Sequence, residues 1–447
     1  MNRDPPPNST VEPPWWVRMS RWRPTSQGEA VAAEKGLLGI LRSQVAVHDV
    51  KVGPGPQDYL HTHTYQPPHS APGTPSSRPA SAAVTTPPAP AVMDAAGLGP
   101  GSSGSSELPV VLLPGYGAAS GFWFRVVDAL ASTKVLRVHA VDWLGTGLSG
   151  RPPFTAKTQK ETESFFLDSL SAWKDNVGLA GSKVVLVGHS LGGYLAAAYA
   201  LRHPEHVAHL VLVCPAGVPK APEDWQRKFL GAANGVRGRV FKAAMWAWEK
   251  GVTPHSLIRA LGPWGPNLCE KYVVGRFSHH GNGLAQSEAD VFKTYFYHSI
   301  AGRGSGEHAL RHLLAPGAWA HEPLSQRLRE LKVPVTFIYG AEDWMRPAHA
   351  VELCKELRAE RAQKVPTDLH CEIIRDAGHF VFLDQPEAFS RALVDALAPH
   401  LSHKEVAAAA AALSHTVQGR GDAPGTTSWG PEGGSINTGR GDDGGVG

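Results

Sequence analysis

The apolar run Lys183-Val184-Val185-Leu186-Val187 leads into Gly188-His189-Ser190-Leu191-Gly192, and that into the small-residue run Gly193-Tyr194-Leu195-Ala196-Ala197-Ala198. The first run predicts a buried strand and the last a helix. Ser190 then lies on the sharp turn between them. Strand and helix backbones nearly touch at such a turn, so the positions two residues either side must be small; they are Gly188 and Gly192. The helix N-terminus behind the serine favours negative charge developing beside it. A bare G-x-S-x-G is a weak signal, and the strand before and helix after make it specific. A chain built this way is expected to be an α/β protein with Ser190 as its nucleophile.

Two further groups follow in a telling order. Val335-Thr336-Phe337-Ile338-Tyr339-Gly340 predicts another buried strand, ending in Ala341-Glu342-Asp343-Trp344. Asp343 is the candidate acid, with Glu342 as the alternative. His370-Cys371-Glu372-Ile373-Ile374-Arg375 predicts a last strand, and His379 sits in the loop after it. Serine, then acid, then histidine resembles the order in α/β-hydrolases rather than that of the chymotrypsin or subtilisin folds. In such a triad His379 takes the Ser190 proton, and Asp343 orients the imidazole. The expected fold is an α/β-hydrolase: a mostly parallel eight-stranded sheet with flanking helices and a helical cap inserted before the strand carrying the acid.

Val110-Val111-Leu112-Leu113 predicts a strand leading into Pro114-Gly115-Tyr116-Gly117. The backbone N–H groups of Tyr116 and Leu191 are the candidate oxyanion hole. Gly145-Thr146-Gly147-Leu148-Ser149-Gly150 formally matches a dinucleotide fingerprint. Pro152-Pro153 breaks the helix such a site needs, so it reads as a tight turn.

Residues 66–107 are Pro-, Ser-, Ala- and Thr-rich and cannot bury a core. Residues 403–447, an alanine run and then Gly-rich sequence, read as a disordered tail. What remains fits one large domain. The expected division is 1–35 as a Trp/Arg-rich segment, 36–65 as the first strands, 108–219 as core with the elbow, 220–331 as cap, and 332–402 as core with acid and histidine. A net charge of +3 on 447 residues does not point to nucleic acid. Cys214, Cys269, Cys354 and Cys371 form no C-x-x-C pair, and no secretory signal is evident, so free thiols in a reducing, cytoplasmic compartment are expected. No apolar run is long enough to span a bilayer. No metal or redox cofactor is implied.

Trp15, Trp16 and Trp22 alternate with Arg18, Arg21 and Arg23. Tryptophan favours the membrane interface and arginine the anionic headgroups, so a peripheral anchor on a membrane or lipid droplet is one reading, with Gly36–Leu41 adding an apolar helical face. The other is that these tryptophans cover the core. A transit peptide fits less well, because Asp4, Glu12, Glu29 and Glu34 are acidic. Over a hundred residues separate the strand at His209–Val213 from that at Val335. Their aromatic load, including Trp225, Phe229, Phe241, Trp246, Trp264, Phe277 and Phe292, is mostly the cap's own core. A cap over the serine still suits a large apolar, lipid-like substrate.

With these residues placed, the chain resembles the lysophosphatidic-acid-acyltransferase-like subfamily of α/β-hydrolases, especially its plant members. The resemblance rests on Trp22–Ser26, Pro114–Ala118, Asp142–Gly147, Gly188–Tyr194, Leu261–Pro266, Ser305–Glu307, Phe337–Gly340 and His379–Asp384. It implies a glycerolipid or lysophospholipid substrate, acyl-CoA as co-substrate, and a position on lipid droplets or the endoplasmic reticulum. It also implies three functions to weigh: acyl transfer to lysophosphatidic acid with accompanying lipase activity, ester hydrolysis alone, or a scaffold that stimulates a separate lipase. Ser190 is present, which favours an enzyme. In this subfamily a His-x-x-x-x-Asp motif, here His379 and Asp384, is associated with acyl transfer. Asp384 with Glu387 also reads as a capping box opening the last helix, and that reading is preferred.

Overall fold

The apolar runs of the sequence enter one sheet. A computed structural model describes residues 25–67, 107–223, 236–277, 283–361 and 369–418. Its strands are β1 (Gln44–Lys51), β2 (Tyr59–Gln66), β3 (Leu108–Leu113), β4 (Leu136–Val141), β5 (Val184–His189), β6 (Val207–Val213), a small ribbon β7 (Leu314–Ala315) with β8 (Trp319–Ala320), then β9 (Val335–Gly340) and β10 (Leu369–Ile374). The main sheet has eight strands in the order β1-β2-β4-β3-β5-β6-β9-β10. The β1–β2 hairpin is antiparallel and β2 runs antiparallel to β4, while all other pairs are parallel. The central parallel strands are buried on both faces, which is why they read as unbroken apolar runs: Val110–Leu113, Val185, Val187 and Leu210–Val213 are wholly inaccessible.

Helices Phe124–Ser132, Gln159–Lys174, Leu191–Arg202 and Pro347–Arg361 provide the crossovers, and Pro386–Leu397 follows β10. From β3 the chain turns one way to β4 and the other way to β5. The carboxyl ends of β3 and β5 therefore border the crevice where open α/β sheets place their ligands. Pro114 and Ser190 lie at those two ends.

Between β6 and β9 the described cap comprises helices Val236–Glu249, Pro254–Ala260, Gly265–Phe277 and Gln286–Ala301 with the β7–β8 ribbon. Phe277, Phe292, Tyr295 and Tyr297 are buried, whereas Trp246, Trp264 and Tyr272 are exposed. Trp225 and Phe229 lie outside the described residues. The cap is tied to the core by Arg151, whose guanidinium donates to the carbonyls of Gly145 (3.2 Å) and Gly147 (2.7 Å) in the core, and of Ser299 (3.1 Å) and Arg303 (2.8 Å) in the cap.

Two expectations are corrected here. Residues 403–418 are not a structureless tail: His403–Gln418 is a helix packed on Pro386–Leu397 and Phe124–Ser132, with Ala409 and Leu413 buried. Alanine's helix propensity and this docking outweigh the low-complexity composition. Gly36–Leu41 does not form one apolar helical face either, although Ile40, past the helix end, is 40% exposed. Its first residues end a helix, Gln27–Leu38, opened by a capping box between Ser26 and Glu29, and Leu37 is wholly buried against the core. Trp15, Trp16 and Trp22, and residues 68–106, lie outside the described residues.

Candidate active site

Ser190 adopts φ 53° and ψ −120°, a strained conformation for a residue with a side chain. Its neighbours permit this only as glycines. A Cβ on Gly188 would lie 2.5 Å from the Gly192 carbonyl oxygen, and one on Gly192 would lie 2.2 Å from that of Pro114. The bend is anchored by the Ser190 N–H donating to the Val213 carbonyl (3.0 Å) and the Ala216 N–H donating to that of Ser190 (3.0 Å).

Three groups distant in sequence meet at this bend. His379 Nε2 lies 3.0 Å from Ser190 Oγ, and His379 Nδ1 lies 2.9 Å from Asp343 Oδ1. The Asp343 side chain is wholly inaccessible, and its Oδ1 also accepts from the Met345 N–H (3.0 Å). The structure thus brings together Ser190, His379 and Asp343, the preferred acid. The alternative, Glu342, is exposed. The Cys214 thiol beside Asp343 is held neutral: burial, then the Asp343 charge, push it well above its ordinary pKa.

The Pro114–Gly117 turn reaches the serine, since a Cβ on Gly115 would lie 2.8 Å from Ser190 Cβ. Trp143 Nε1 pins the turn by donating to the Pro114 carbonyl (3.0 Å). Leu191 opens its helix, so its N–H has no intrahelical carbonyl to meet. The Tyr116 ring stacks on His255 of the cap, centroids 4.7 Å apart. Gly145–Gly150 is a tight turn with no helix behind it. It wraps the buried Asp142 carboxylate, which accepts from the N–H groups of Ser120 (2.5 Å) and Leu148 (2.8 Å). No open phosphate cradle is left there.

Asp384 is not a helix cap, which corrects the preferred reading. The N-cap of Pro386–Leu397 is Gln385, with no side-chain cap bond. The carboxylate of Asp384, 2% exposed, instead accepts from the Gly378 N–H (2.8 Å) and from Arg276 Nη2 of the cap (3.3 Å). The four-residue helix Val381–Asp384 carries it back toward the turn that presents His379.

Residues 109–386 match the family of the α/β hydrolase fold. The chain is 40% identical over 408 residues to a 1-acylglycerol-3-phosphate O-acyltransferase of Arabidopsis thaliana, covering 87% of this chain and 84% of the relative. It is 31% identical over 295 residues to a human (lyso)-N-acylphosphatidylethanolamine lipase, covering 64% of this chain and 78% of that one. A solved structure from Bacillus subtilis shares the fold at 17% identity and TM-score 0.50, covering 83% of this chain and 99% of that one. The chain belongs to the α/β hydrolase fold family.

Within this hydrolase fold, three site features were not singled out from the sequence. His189, the second residue of the elbow motif, has Nε2 2.9 Å from the His379 carbonyl oxygen. Burial, then the neighbouring His379, hold His189 well below its ordinary pKa, so it stays neutral and donates that bond. Arg276 reaches Asp384 from a helix of the cap. Glu307, also in the cap, is 1% exposed and accepts from Arg259 (2.6 and 3.0 Å), Thr253 (2.6 Å) and His255 (3.3 Å). Burial alone would raise its pKa, but the bonds from His255 and Arg259 outweigh it and hold the carboxyl far below the ordinary range. Only elements far apart in the chain create these contacts. The Ser305-Gly306-Glu307 and Leu261–Pro266 segments were the available signal.

Proposed function

We propose that the protein is a serine-dependent glycerolipid acyl-transfer enzyme, a 1-acylglycerol-3-phosphate O-acyltransferase with accompanying lipase or phospholipase activity. The observation that carries this is the hydrogen-bonded line Ser190–His379–Asp343 on a strained elbow, in a chain 40% identical to the plant acyltransferase. Ser190 Oγ attacks the acyl carbonyl while His379 Nε2 takes its proton. The tetrahedral oxyanion is met by the N–H groups of Tyr116 and Leu191 at the helix N-terminus. The intermediate collapses, His379 returns the proton to the leaving group (the coenzyme A thiolate when acyl-CoA is the donor), and the acyl group stays on Ser190. The lysophosphatidic acid hydroxyl, deprotonated by His379, then attacks the acyl-enzyme and regenerates Ser190. Water in that position gives hydrolysis, so one acyl-enzyme accounts for both chemistries. Asp343 holds the imidazole in the right tautomer throughout.

Asp384 acts as a positioning residue in this scheme, through the Gly378 amide and Arg276. Trp344, exposed and 5.4 Å from the His379 ring, and the exposed cap aromatics suit work at a lipid surface. None of the described helices is long and apolar enough to cross a membrane, so association would be peripheral, on lipid droplets or the endoplasmic reticulum, with the Trp15–Arg23 segment as anchor.

The human lipase relative favours one second reading, hydrolysis alone. The two part on one experiment. Purified protein and Ser190→Ala receive radiolabelled acyl-CoA with lysophosphatidic acid, and separately phosphatidylcholine alone. Labelled phosphatidic acid that disappears in Ser190→Ala supports the transferase. Fatty acid release alone, also lost in Ser190→Ala, leaves the hydrolase. Activity that survives Ser190→Ala refutes the serine mechanism.

A further inference from the structure

Away from the serine, a second cluster of chemistry-bearing side chains lies where the helix Gln27–Leu38 meets the β1–β2 hairpin. His61 and His63 are two apart on β2 and so project from one face of it. Their Nε2 atoms converge on one oxygen: Glu34 Oε1 lies 2.9 Å from that of His61 and 2.8 Å from that of His63. All three are buried, at 3%, 5% and 0% exposure for Glu34, His61 and His63. Their outer nitrogens are also engaged. His61 Nδ1 lies 2.7 Å from Asp49 Oδ1, and His63 Nδ1 lies 3.2 Å from the Tyr65 hydroxyl.

We propose that Glu34, His61 and His63 form a binding site for a divalent transition metal ion of the zinc class. Two imidazoles and one carboxylate are an established zinc donor set, with metal–ligand distances of about 2.0–2.2 Å. Tetrahedral coordination at that distance sets ligand atoms roughly 3.3 Å apart. The three atoms already lie within 4.8 Å of one another, so the donors are gathered, and an ion among them requires the side chains to re-space to that distance. Binding requires both Nε2 atoms to be bare. The ring protons then sit on Nδ1, where the Asp49 carboxylate and the Tyr65 oxygen accept them. Such outer partners fix ring orientation and raise ligand basicity at metal sites. The charges of Glu34 and Asp49 together match the dication.

A cavity of about 320 Å³ borders the cluster, and its lining includes Glu34, His61, Asp49, Arg151 and His298. The ion would therefore keep a water or a small anionic ligand on the cavity side. This site takes no part in the Ser190 chemistry. It would clamp the helix Gln27–Leu38 to the sheet.

Among the described residues, two other groupings could capture zinc and must be separated: the surface trio His203, Glu205 and His206, and Cys214, Asp343 and His379 at the candidate active site. The test uses tag-free full-length protein carrying His203→Ala and His206→Ala, stripped with chelator, equilibrated with zinc and desalted. Zinc is then counted by mass spectrometry and thermal melting followed with and without the ion. The expected result is one zinc per chain and a raised Tm, both lost in His61→Asn and in His63→Gln. Asp49→Asn and Tyr65→Phe, which keep all three ligands, should weaken zinc affinity about ten- to a hundredfold. These two keep the test decisive if the ligand variants do not fold. Absence of stoichiometric zinc in the parent, or retention of zinc with unchanged affinity across the variants that fold, overturns the proposal and leaves the cluster as an ion-paired anchor.

Discussion

Replacing Asp384 by alanine tests what the His-x-x-x-x-Asp spacing does. The carboxylate accepts a hydrogen bond from the Gly378 amide and one from Arg276, and it is almost wholly buried. Losing it strands a buried N–H one residue before His379, at a cost of about 1–3 kcal/mol. Losing it also leaves Arg276, whose side chain is only 19% exposed and whose Nη1 is buried, without its counter-charge, which adds to that cost. If most of this cost is felt as misplacement of the imidazole, kcat falls about ten- to a hundredfold, since about 1.4 kcal/mol is a factor of ten. Water and lysolipid both need the same His379, so transfer and hydrolysis should fall together, with KM nearly unchanged. Asp384→Asn keeps an oxygen for the Gly378 N–H and should stay within a few-fold of wild type. The assay is parallel measurement of phosphatidic acid formation and fatty acid release on the same preparations, with circular dichroism to check the fold. A selective loss of transfer in Asp384→Ala, with hydrolysis intact, would refute the positioning argument and assign Asp384 to the acceptor hydroxyl.

Other outcomes follow from the same geometry. Gly192→Ala drives a methyl into the Pro114 carbonyl and should lose both activity and several degrees of Tm, read by thermal melting and fluorophosphonate labelling of Ser190. Burial, then Arg137, hold His139 down to about 3. The unfolded chain takes up a proton near pH 6.5 that the fold refuses, so stability falls as pH drops from 6.5 toward 3; at pH 5 the loss is about 2 kcal/mol for this site. His139→Gln should flatten that limb of a urea-denaturation series, and an unchanged slope would contradict the assignment. Arg151→Ala removes one of the anchors shared by cap and core and should speed limited proteolysis of the cap while leaving the melting of the core nearly unchanged.

The elbow and the order of the three groups were legible because each is local. Strand, tight glycine turn and helix sit within nineteen residues, Val184–Arg202, and the acid and histidine each follow a strand of their own. Backbone sterics at Gly188 and Gly192 enforce a pattern visible without any tertiary contact. The role of Asp384 was not legible in this way. Its partner Arg276 lies 108 residues away in the cap, and the local spacing to Glu387 imitates a helix cap. The alanine run after His403 misled for another reason: composition reports whether a segment can form its own core, not whether it can dock as a helix on someone else's. Glu34, His61 and His63 escaped notice because a helix and a hairpin bring them together.

The register of the sheet carries one more consequence. β2 ends beside the start of β4, where Tyr65 opposes Val138, and β3 begins where Leu108 opposes Leu136. Residues 68–106 therefore leave and rejoin the sheet at the amino ends of the parallel strands, whereas Ser190 and Pro114 sit at their carboxyl ends. The two attachment points at that junction are thus set apart from the catalytic loops. For the experimenter, it is the place to splice in an affinity tag or a fluorescent reporter, on the far pole of the molecule from the reacting ester.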